Sequence, residues 1–374
     1  MRRLLLTMLA SLALSACEPR GNIAYNMAPD QPGTVERLFV GSTRAFEPAE
    51  GGFGKGRERD LRHARFDVSI PPGHVSGDVE WPRFGKADAS RYFVTRQAVL
   101  FPRTSDFVAD LRDDLSRLPA GKREAVIFVH GYNNTFAEGL YRLAQLRYDL
   151  DLPGIPIAYA WPSMASPLGY AYDRDSVLFA RDGLQTLMQQ VRDAGAERTI
   201  LVAHSMGSQL TMEVLRQIAI SGDRGLLDQL GGVVLISPDI DVDVFRTQVE
   251  RIKTLPQPFV VFTSQNDKVL KLSARVNGDG NRLGDLEDVD PLRDYKITFV
   301  DISAFYVGKG GGHFTVGNSP SLIRLLDKLQ KVEGAFVSDR TKRLGLTNSV
   351  VMTVEDATRI VLSPLTILTG GAAP

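Results

Sequence analysis

Short apolar runs and segments of helical period alternate along the chain from Glu124 to about Glu333. The runs are Ala125–Val129, Ile155–Trp161, Thr199–Ala203, Val233–Ile236, Phe259–Thr263 and Tyr295–Ile302. Strands that are apolar on both faces are typical of a parallel sheet that helices cover on both sides. The pattern therefore predicts an α/β fold with a mostly parallel central sheet.

The helical segments between these runs carry their own start signals. Thr135 and Glu138 have the spacing of a capping box, which predicts that a helix begins there. Pro320 suits the first position of a last helix. In a parallel sheet, functional groups gather beyond the carboxyl ends of the strands. The loops that follow the apolar runs are therefore the places to look for chemistry.

The remaining segments have different patterns. We predict a signal peptide over 1–16, a tether over 17–34, an N-terminal extension packed on the core over 35–122, the main domain over 123–335, and a tail over 336–374 whose role the sequence leaves open. Within the extension, Arg37–Ser42 and Phe66–Ile70 have strand character, whereas Glu50–Asp60 has the composition of a charged, Gly-rich loop.

Composition narrows the possible functions. The 374 residues include 44 basic and 44 acidic side chains, so the formal net charge is zero and nothing favours nucleic acid as a partner. Cys17 is the only cysteine, which excludes an intramolecular disulfide. The five histidines are scattered without an HExxH pattern. We therefore expect neither a metal site nor an organic cofactor.

The first residues predict export and a lipid anchor. Arg2 and Arg3 precede the short apolar stretch Leu4–Ala13, which is the anatomy of a secretory signal. The sequence LSAC that ends at Cys17 resembles the lipobox of bacterial lipoproteins. That resemblance implies a diacylglycerol on the Cys17 thiol and a periplasm-facing place in the cell envelope. Lipoproteins that are retained in the inner membrane have an aspartate after the cysteine. Because Glu18 stands at that position, we expect the outer membrane. The alternative is an ordinary cleaved signal followed by an incidental cysteine.

The candidate nucleophile is Ser205, within the sequence AHSMG that follows an apolar run and precedes a helical one. A sharp turn between a strand and a helix would raise the hydroxyl above the sheet, and small residues are needed on either side. The motif resembles the GxSxG nucleophile elbow of α/β-hydrolases, with Ala203 where glycine is usual. The alternative is a serine that caps a helix.

The resemblance to α/β-hydrolases assigns further roles. The pair His130-Gly131 follows a strand, as in the oxyanion loop of these enzymes, so the backbone N–H groups of Tyr132 and Met206 are the implied oxyanion donors. The His130 side chain itself we interpret as structural. His313 follows the last apolar run and a Gly-rich loop, the position of the catalytic histidine, and would accept the proton of the serine.

Two aspartates compete for the role of triad acid. Asp267 follows the run that ends at Thr263, on the loop where the family's acid lies, and would orient His313. Asp239 follows the preceding run, with Asp241 and Asp243 nearby as candidate helix caps. We predict Asp267, with Asp239 as the alternative; the order serine, aspartate, histidine along the chain fits the fold.

More narrowly, the chain resembles a group of uncharacterised bacterial α/β-hydrolases. The matching sequences are VIFVHGYNNTF, AWPS, YDRDS and AHSMG. The resemblance implies the α/β-hydrolase fold and hydrolysis of a small-molecule acyl substrate, such as a carboxylic ester, through an acyl-enzyme. Cleavage of amides or thioesters and acyl transfer use the same triad. A non-catalytic envelope protein that binds ligands on this scaffold is the alternative from another class.

Overall fold

A computed structural model of the protein describes residues 21–28, 30–48, 52–82, 87–276, 278, 281–306, 312–331, 350–354 and 356–362. Cys17 and the glycines at 308, 310 and 311, which the sequence analysis named, lie outside these residues. Within the described part, eleven strands form one sheet. The strands are β1 Thr34–Glu47, β2 Gly52–Ile70, β3 Val94–Phe101, β4 Glu124–Val129, β5 Ile155–Ala160, β6 Arg198–His204, β7 Leu230–Ile236, β8 Phe259–Thr263, β9 Thr298–Asp301, β10 Val350–Val354 and β11 Ala357–Val361.

Helices connect the parallel strands. They are α1 Thr104–Ser116, α2 Phe136–Asp149, α3 Tyr170–Phe179, α4 Arg181–Asp193, α5 Met206–Ser221, α6 Arg224–Asp228, α7 Val242–Ile252, α8 Lys268–Val276, α9 Thr315–Asn318 and α10 Pro320–Lys331. The predicted capping box is present at α2, where the Thr135 side chain and the Glu138 side chain bond each other's backbone N–H groups. The described residues contain no helix that is both long and apolar enough to cross a membrane.

The sheet has the strand order β10-β11-β9-β8-β7-β6-β4-β5-β1-β2-β3. The strands from β11 to β1 pair in parallel, and only the two ends of the sheet add antiparallel strands. The predicted α/β fold with a mostly parallel sheet is therefore confirmed. All parallel strands end at the same edge, which we call the active-site edge.

Two apolar layers cover the sheet, because neighbouring residues of each strand point to opposite faces. Ile127 of β4 belongs to the layer that includes Leu210 of α5, whereas Phe128 belongs to the layer that includes Leu140 of α2. All of these side chains are buried. Strands that are apolar on both faces are therefore a direct consequence of this three-layer arrangement.

Residues 35–122, predicted as an N-terminal extension packed on the core, include α1, whose Phe107, Leu111 and Leu115 are buried in the same apolar layer as Ile127. The strands of this extension continue the central sheet: β1 pairs in parallel with β5, and β2 and β3 follow antiparallel. The segment Glu50–Asp60, expected to be a loop, belongs to β2 from Gly52 onward. The reason is that β1 and β2 continue as a two-stranded ribbon beyond the last pair with β5, Ser42 with Ala160, in which the β2 residues 55–62 are half-buried or exposed and can be polar.

The C-terminal tail also contributes to the sheet. Within residues 336–374, β11 pairs in parallel with β9, and β10 pairs antiparallel with β11. Ala357 is buried, and the Arg359 guanidinium contacts the Asp301 carboxylate at 2.6 Å. This part of the tail therefore extends the sheet beyond the main domain that the sequence predicted.

Candidate active site

Ser205 lies on a sharp turn between β6 and α5. Its backbone has φ 53° and ψ −122°, a left-handed conformation that residues with a Cβ rarely adopt. Gly207 has no room for a side chain, because a Cβ there would lie 2.4 Å from the His130 carbonyl oxygen. Ala203 is fully buried at the position where glycine is usual. The local geometry is thus that of a nucleophile elbow rather than an ordinary helix cap, since the Ser205 side chain makes no capping bond.

Ser205, His313 and Asp267 form a hydrogen-bonded series. The Ser205 Oγ lies 2.6 Å from His313 Nε2, and His313 Nδ1 lies 2.7 Å from Asp267 Oδ2. The Ser205 and Asp267 side chains are buried, and the His313 side chain is 12% exposed. These distances place all three side chains in direct contact, in the order that a serine, a base and an acid require.

Asp267 is held in place by the helix that it caps. Its Oδ1 accepts hydrogen bonds of 3.0 Å from the backbone N–H groups of Val269 and Leu270 at the start of α8. The second oxygen, Oδ2, is left to face His313. The carboxylate therefore has one oxygen fixed by a helix N-terminus and the other directed at the imidazole.

Asp239, the alternative acid, has a different set of partners. Its carboxylate accepts hydrogen bonds from the Tyr170 hydroxyl at 3.0 Å and the Ser273 hydroxyl at 2.7 Å, and it lies 3.6 Å from the Arg282 guanidinium. The structure therefore brings Asp267, and not Asp239, to His313. Asp239 still lies near the site, since its backbone N–H donates to the Ser205 carbonyl oxygen at 3.3 Å.

The loop of residues 131–134, here called the oxyanion loop after its predicted role, lies against Ser205. A Cβ on Gly131 would come within 3.0 Å of the Ser205 Cβ, so only glycine allows this approach. Tyr132 follows directly. Met206 is the first residue of α5, and the N–H of a first helical residue has no acceptor within its own helix. Gly131, directly before Tyr132, and Met206, directly after Ser205, therefore both lie next to Ser205.

Buried polar groups hold the oxyanion loop in shape. The Asn133 N–H donates to the Asp173 carboxylate at 3.1 Å, and the Asn134 N–H donates to the Ser163 hydroxyl, also at 3.1 Å. The Arg44 guanidinium donates to the Asn134 carbonyl oxygen at 2.9 Å. Burial raises the pKa of Asp173, although backbone and hydroxyl donors oppose the shift. The motifs HGYNN, WPS and YDRDS thus meet in one network, and Arg44 is a member that the sequence analysis missed.

The His130 side chain is structural, as the sequence analysis interpreted it. Its ring stacks on Trp161 at 4.9 Å between centroids, and its two nitrogens lie 2.9 Å from the Gly131 carbonyl oxygen and 3.1 Å from the Trp161 carbonyl oxygen. Burial, assisted by the positive charge of Arg44, lowers the pKa of His130 to about 3. The ring therefore stays neutral at physiological pH and supports the start of the oxyanion loop.

His204 also contacts the site, which the sequence analysis did not foresee. Its Nε2 lies 3.1 Å from the backbone carbonyl oxygen of His313, and its ring packs edge-on against Phe314 at 4.4 Å. Burial, followed by the proximity of His313, lowers the pKa of His204 well below its ordinary value. His204 is therefore neutral, and its Nε2–H donates to the loop that carries His313.

The described residues include no group of three or more His, Cys, Asp or Glu side chains arranged to hold a metal ion. A cavity of about 620 Å³ lies beside the oxyanion loop, between the start of α2 and the N-terminal segment. Its walls include Gly21, Lys55, Phe53, Phe136 and Ala165. Ser205 does not line this cavity, so the cavity is not a pocket around the Ser205 hydroxyl.

Comparison with solved structures gives remote similarities. TT1662 from Thermus thermophilus is 12% identical, with 56% of this chain and 88% of that chain covered and a TM-score of 0.35. A mutant of LAE6, an alpha/beta hydrolase from the Lake Arreo metagenome, is 11% identical over 87% and 94% of the chains, with a TM-score of 0.37. A fungal esterase from Rhizomucor miehei is 11% identical over 81% and 85%, with a TM-score of 0.35.

Comparison with family models gives a specific result. No curated protein matches the chain. The model of one family, however, matches residues 105–329, which is more than half of the chain and spans the elbow, the oxyanion loop and the His313 loop. The protein therefore belongs to the family described as alpha/beta hydrolases of unknown function (DUF900).

Proposed function

We propose that this protein is an exported, lipid-anchored serine hydrolase that cleaves carboxylic esters or related acyl bonds. The observation that carries the proposal is the series of two short hydrogen bonds, 2.6 Å from Ser205 to His313 and 2.7 Å from His313 to Asp267. Membership of an alpha/beta hydrolase family supports hydrolytic chemistry. The fold alone does not identify the substrate, because substrate choice depends on the pocket and not on the scaffold.

In the proposed mechanism, the Ser205 oxygen attacks the carbonyl carbon while its proton passes to His313 Nε2. The Nδ1–H of His313 donates to the Asp267 carboxylate, which stabilises the imidazolium that forms. Because α8 fixes the other carboxylate oxygen, the imidazole keeps its orientation during the transfer. In this proposal, the N–H groups of Met206 and Tyr132 would donate to the oxyanion of the tetrahedral intermediate.

The intermediate then collapses to an acyl-enzyme. The bond from carbon to the leaving oxygen breaks, and His313 returns its proton to that oxygen. Water repeats the sequence on the Ser205 ester, so that the acid is released and the serine hydroxyl is restored. The same groups would serve for amides, thioesters or acyl transfer, which an activity screen over these acyl donors distinguishes from ester hydrolysis.

The test compares the wild-type protein with Ser205→Ala. We expect the substitution to lower turnover of a short-chain nitrophenyl ester by about three to six orders of magnitude, and to abolish labelling by a fluorophosphonate probe. Circular dichroism serves as the control for folding. Equal turnover and labelling in both proteins would exclude Ser205 as the nucleophile. A folded wild-type protein that the probe does not label would favour a non-catalytic binding protein.

The proposed anchor requires a separate test. Cys17→Ser should move the protein from the membrane fraction to the soluble fraction and abolish incorporation of labelled lipid. Separation of inner and outer membranes then tests the expected outer-membrane location. Unchanged fractionation and labelling in the Cys17→Ser variant would contradict the lipid anchor and leave the proposal for Ser205 intact.

A further inference from the structure

The N-terminal segment joins the fold at the active-site edge. The Gly21 N–H donates to the Glu138 carboxylate at 3.2 Å, and the Thr135 hydroxyl donates to the Gly21 carbonyl oxygen at 2.8 Å. Thr135 and Glu138 form the capping box of α2, directly after the oxyanion loop. The chain that leads back to Cys17 therefore leaves the fold beside this loop.

The distance from this point to the proposed anchor is short. Gly21 is the fourth residue after Cys17, and a residue of extended chain spans at most about 3.6 Å, so the Cα atom of Cys17 can lie at most about 15 Å from that of Gly21. Further along the segment, the backbone of residues 24–26 pairs with Thr95 of β3, which fixes its course. A membrane that holds Cys17 must therefore lie close to the active-site edge.

Two large apolar side chains are exposed at this edge. Leu168, on the loop after β5, is 96% exposed, and Leu272, on the helix after β8, is 60% exposed. Leu168 follows Pro167, whose carbonyl oxygen accepts a hydrogen bond from the Tyr132 hydroxyl. Leu272 precedes Ser273, which bonds the Tyr170 hydroxyl at 2.9 Å. The Tyr132 and Tyr170 rings pack together at 5.5 Å, so the two leucines flank one aromatic pair beside the oxyanion loop.

Basic side chains also project at this edge. Lys55, Arg57 and Arg59 of β2 are exposed, and residues 55–62 carry four basic and two acidic side chains. This part of β2 pairs with β1 beyond the end of β5. Arg57 donates to the Tyr172 carbonyl oxygen of α3 at 2.9 Å, which places this basic segment beside the start of that helix. Basic groups next to exposed apolar groups suit an anionic membrane surface.

We propose that the active-site edge faces the leaflet that holds the lipid anchor, and that the substrate is an acyl ester of an anionic phospholipid in that leaflet. The inference rests on the proposed lipid-anchored serine hydrolase and names its substrate class. The ester bond between the acyl carbon and the glycerol oxygen breaks, and the Ser205 oxygen takes the acyl group. His313 protonates the glycerol oxygen, and water then releases the fatty acid, leaving a lysophospholipid.

The first experiment measures activity on a bilayer. The lipidated protein is reconstituted into vesicles of phosphatidylglycerol and phosphatidylcholine, and released fatty acid is compared with turnover of a soluble nitrophenyl ester. The double variant Leu168→Ser/Leu272→Ser should lower the ratio of lipid turnover to nitrophenyl ester turnover about tenfold or more, because two apolar contacts with the leaflet are lost. Ile220→Ser is the matched control, since Ile220 is 52% exposed at the end of α5, on the opposite edge of the sheet.

The second experiment measures orientation. Cys17 is the only cysteine, and the lipid occupies its sulfur, so an introduced cysteine gives a single labelling site. An environment-sensitive fluorophore on Leu168→Cys should be quenched by brominated lipid, whereas the same label on Ile220→Cys should not. Equal quenching at the two positions, or quenching at 220 alone, would overturn the proposed orientation.

The outcomes separate this inference from the proposed function. Turnover of nitrophenyl ester without release of fatty acid from any vesicle would overturn the substrate class and leave the serine hydrolase intact. A folded protein without ester turnover and without fluorophosphonate labelling would instead contradict the proposed function. We expect release of fatty acid from phosphatidylglycerol that depends on Leu168 and Leu272. We also expect brominated lipid to quench the fluorophore at position 168 and not the one at position 220.

Discussion

His204 donates a hydrogen bond of 3.1 Å from Nε2 to the backbone carbonyl oxygen of His313. The residue that precedes the proposed nucleophile thus holds the backbone of the residue that would activate it. Since burial lowers the pKa of His204, the neutral ring keeps a single N–H, and this contact assigns it to Nε2. The elbow and the His313 loop are therefore joined by two links, one through the Ser205 hydroxyl and one through His204.

His204 should act as a positioning residue. His204→Ala should lower kcat for a nitrophenyl ester about tenfold with little change in KM, because His313 loses its backbone support but no substrate contact is removed. His204→Gln should recover most of kcat, since its amide can donate to the same carbonyl oxygen. Steady-state kinetics with the three proteins checks this. Equal kcat values in all three, or an equal loss in both variants, would contradict the role.

The two aspartates near the site should differ in their effect on catalysis. Asp267→Asn should lower kcat by about four orders of magnitude, the size of loss seen when the acid of a serine protease triad becomes an amide. Asp239→Asn should lower kcat less than about tenfold, while it lowers Tm because the Arg282 guanidinium loses its carboxylate partner. Kinetics and thermal unfolding of the two variants check the prediction. The reverse pattern would assign the acid to Asp239.

The strained backbone of Ser205 should reduce stability. A non-glycine residue held at a rare φ and ψ costs about 1–3 kcal/mol, and Ser205→Gly relieves this cost at an entropic loss of about 0.5–1 kcal/mol. Ser205→Ala keeps the Cβ and therefore the strain. We expect the glycine variant to be more stable than the alanine variant by about 1 kcal/mol, with both inactive. Urea unfolding measures the difference, and an alanine variant of equal or greater stability would contradict it.

His74 should make stability depend on pH. Its ring lies between the carboxylates of Glu80, at 2.9 Å, and Asp149, at 3.0 Å. Burial alone would lower the pKa of His74, but the hydrogen bonds to Asp149 and Glu80 raise it to about 9. In the unfolded chain the pKa is about 6.5. The stabilisation is therefore complete below about pH 6.5 and is lost as the pH rises to about 9.

His74→Gln is the variant that tests this. The decline in the free energy of unfolding between pH 6.5 and 9 should be smaller in the variant than in the wild type. His63, His130 and His204 have lowered pKa values in the folded protein. Their contributions to the free energy of unfolding therefore change only below about pH 6.5, outside the range in which the two proteins are compared. If the free energy of unfolding declined equally with pH in the two proteins, the ion pairs of His74 would not be the cause of the decline.

The sheet and the elbow were predictable from the sequence because each depends on a local pattern. Buried parallel strands must be apolar on both faces, and the turn at Ser205 needs a small residue at Gly207. The contact between Asp267 and His313 was predictable from position, since both residues follow strands that end at the same edge. Of these predictions, the fold is confirmed by the structure and the family match; the catalytic roles remain proposals.

Other structural features were not predictable, because no local sequence pattern marks them. The ribbon at Gly52–Asp60 is rich in charge because its residues 55–60 are half-buried or exposed, so its composition resembles that of a loop. The acceptor for His204 is a backbone carbonyl oxygen, a group that every residue carries, and no side chain marks it. Arg44 donates to the carbonyl oxygens of Asn134 and Ser163, which become its neighbours only when β1 joins β5.

The pairing of β1 with β5 has a consequence for how the chain can be divided. The family match begins at residue 105, after β1, β2 and β3. In the whole protein, β1 covers the outer side of β5 through pairs such as Phe39 with Ile157 and Val40 with Ala158. A fragment cut at residue 105 would leave the backbone donors and acceptors of this apolar strand open to other chains, and it should self-associate rather than fold as an independent unit.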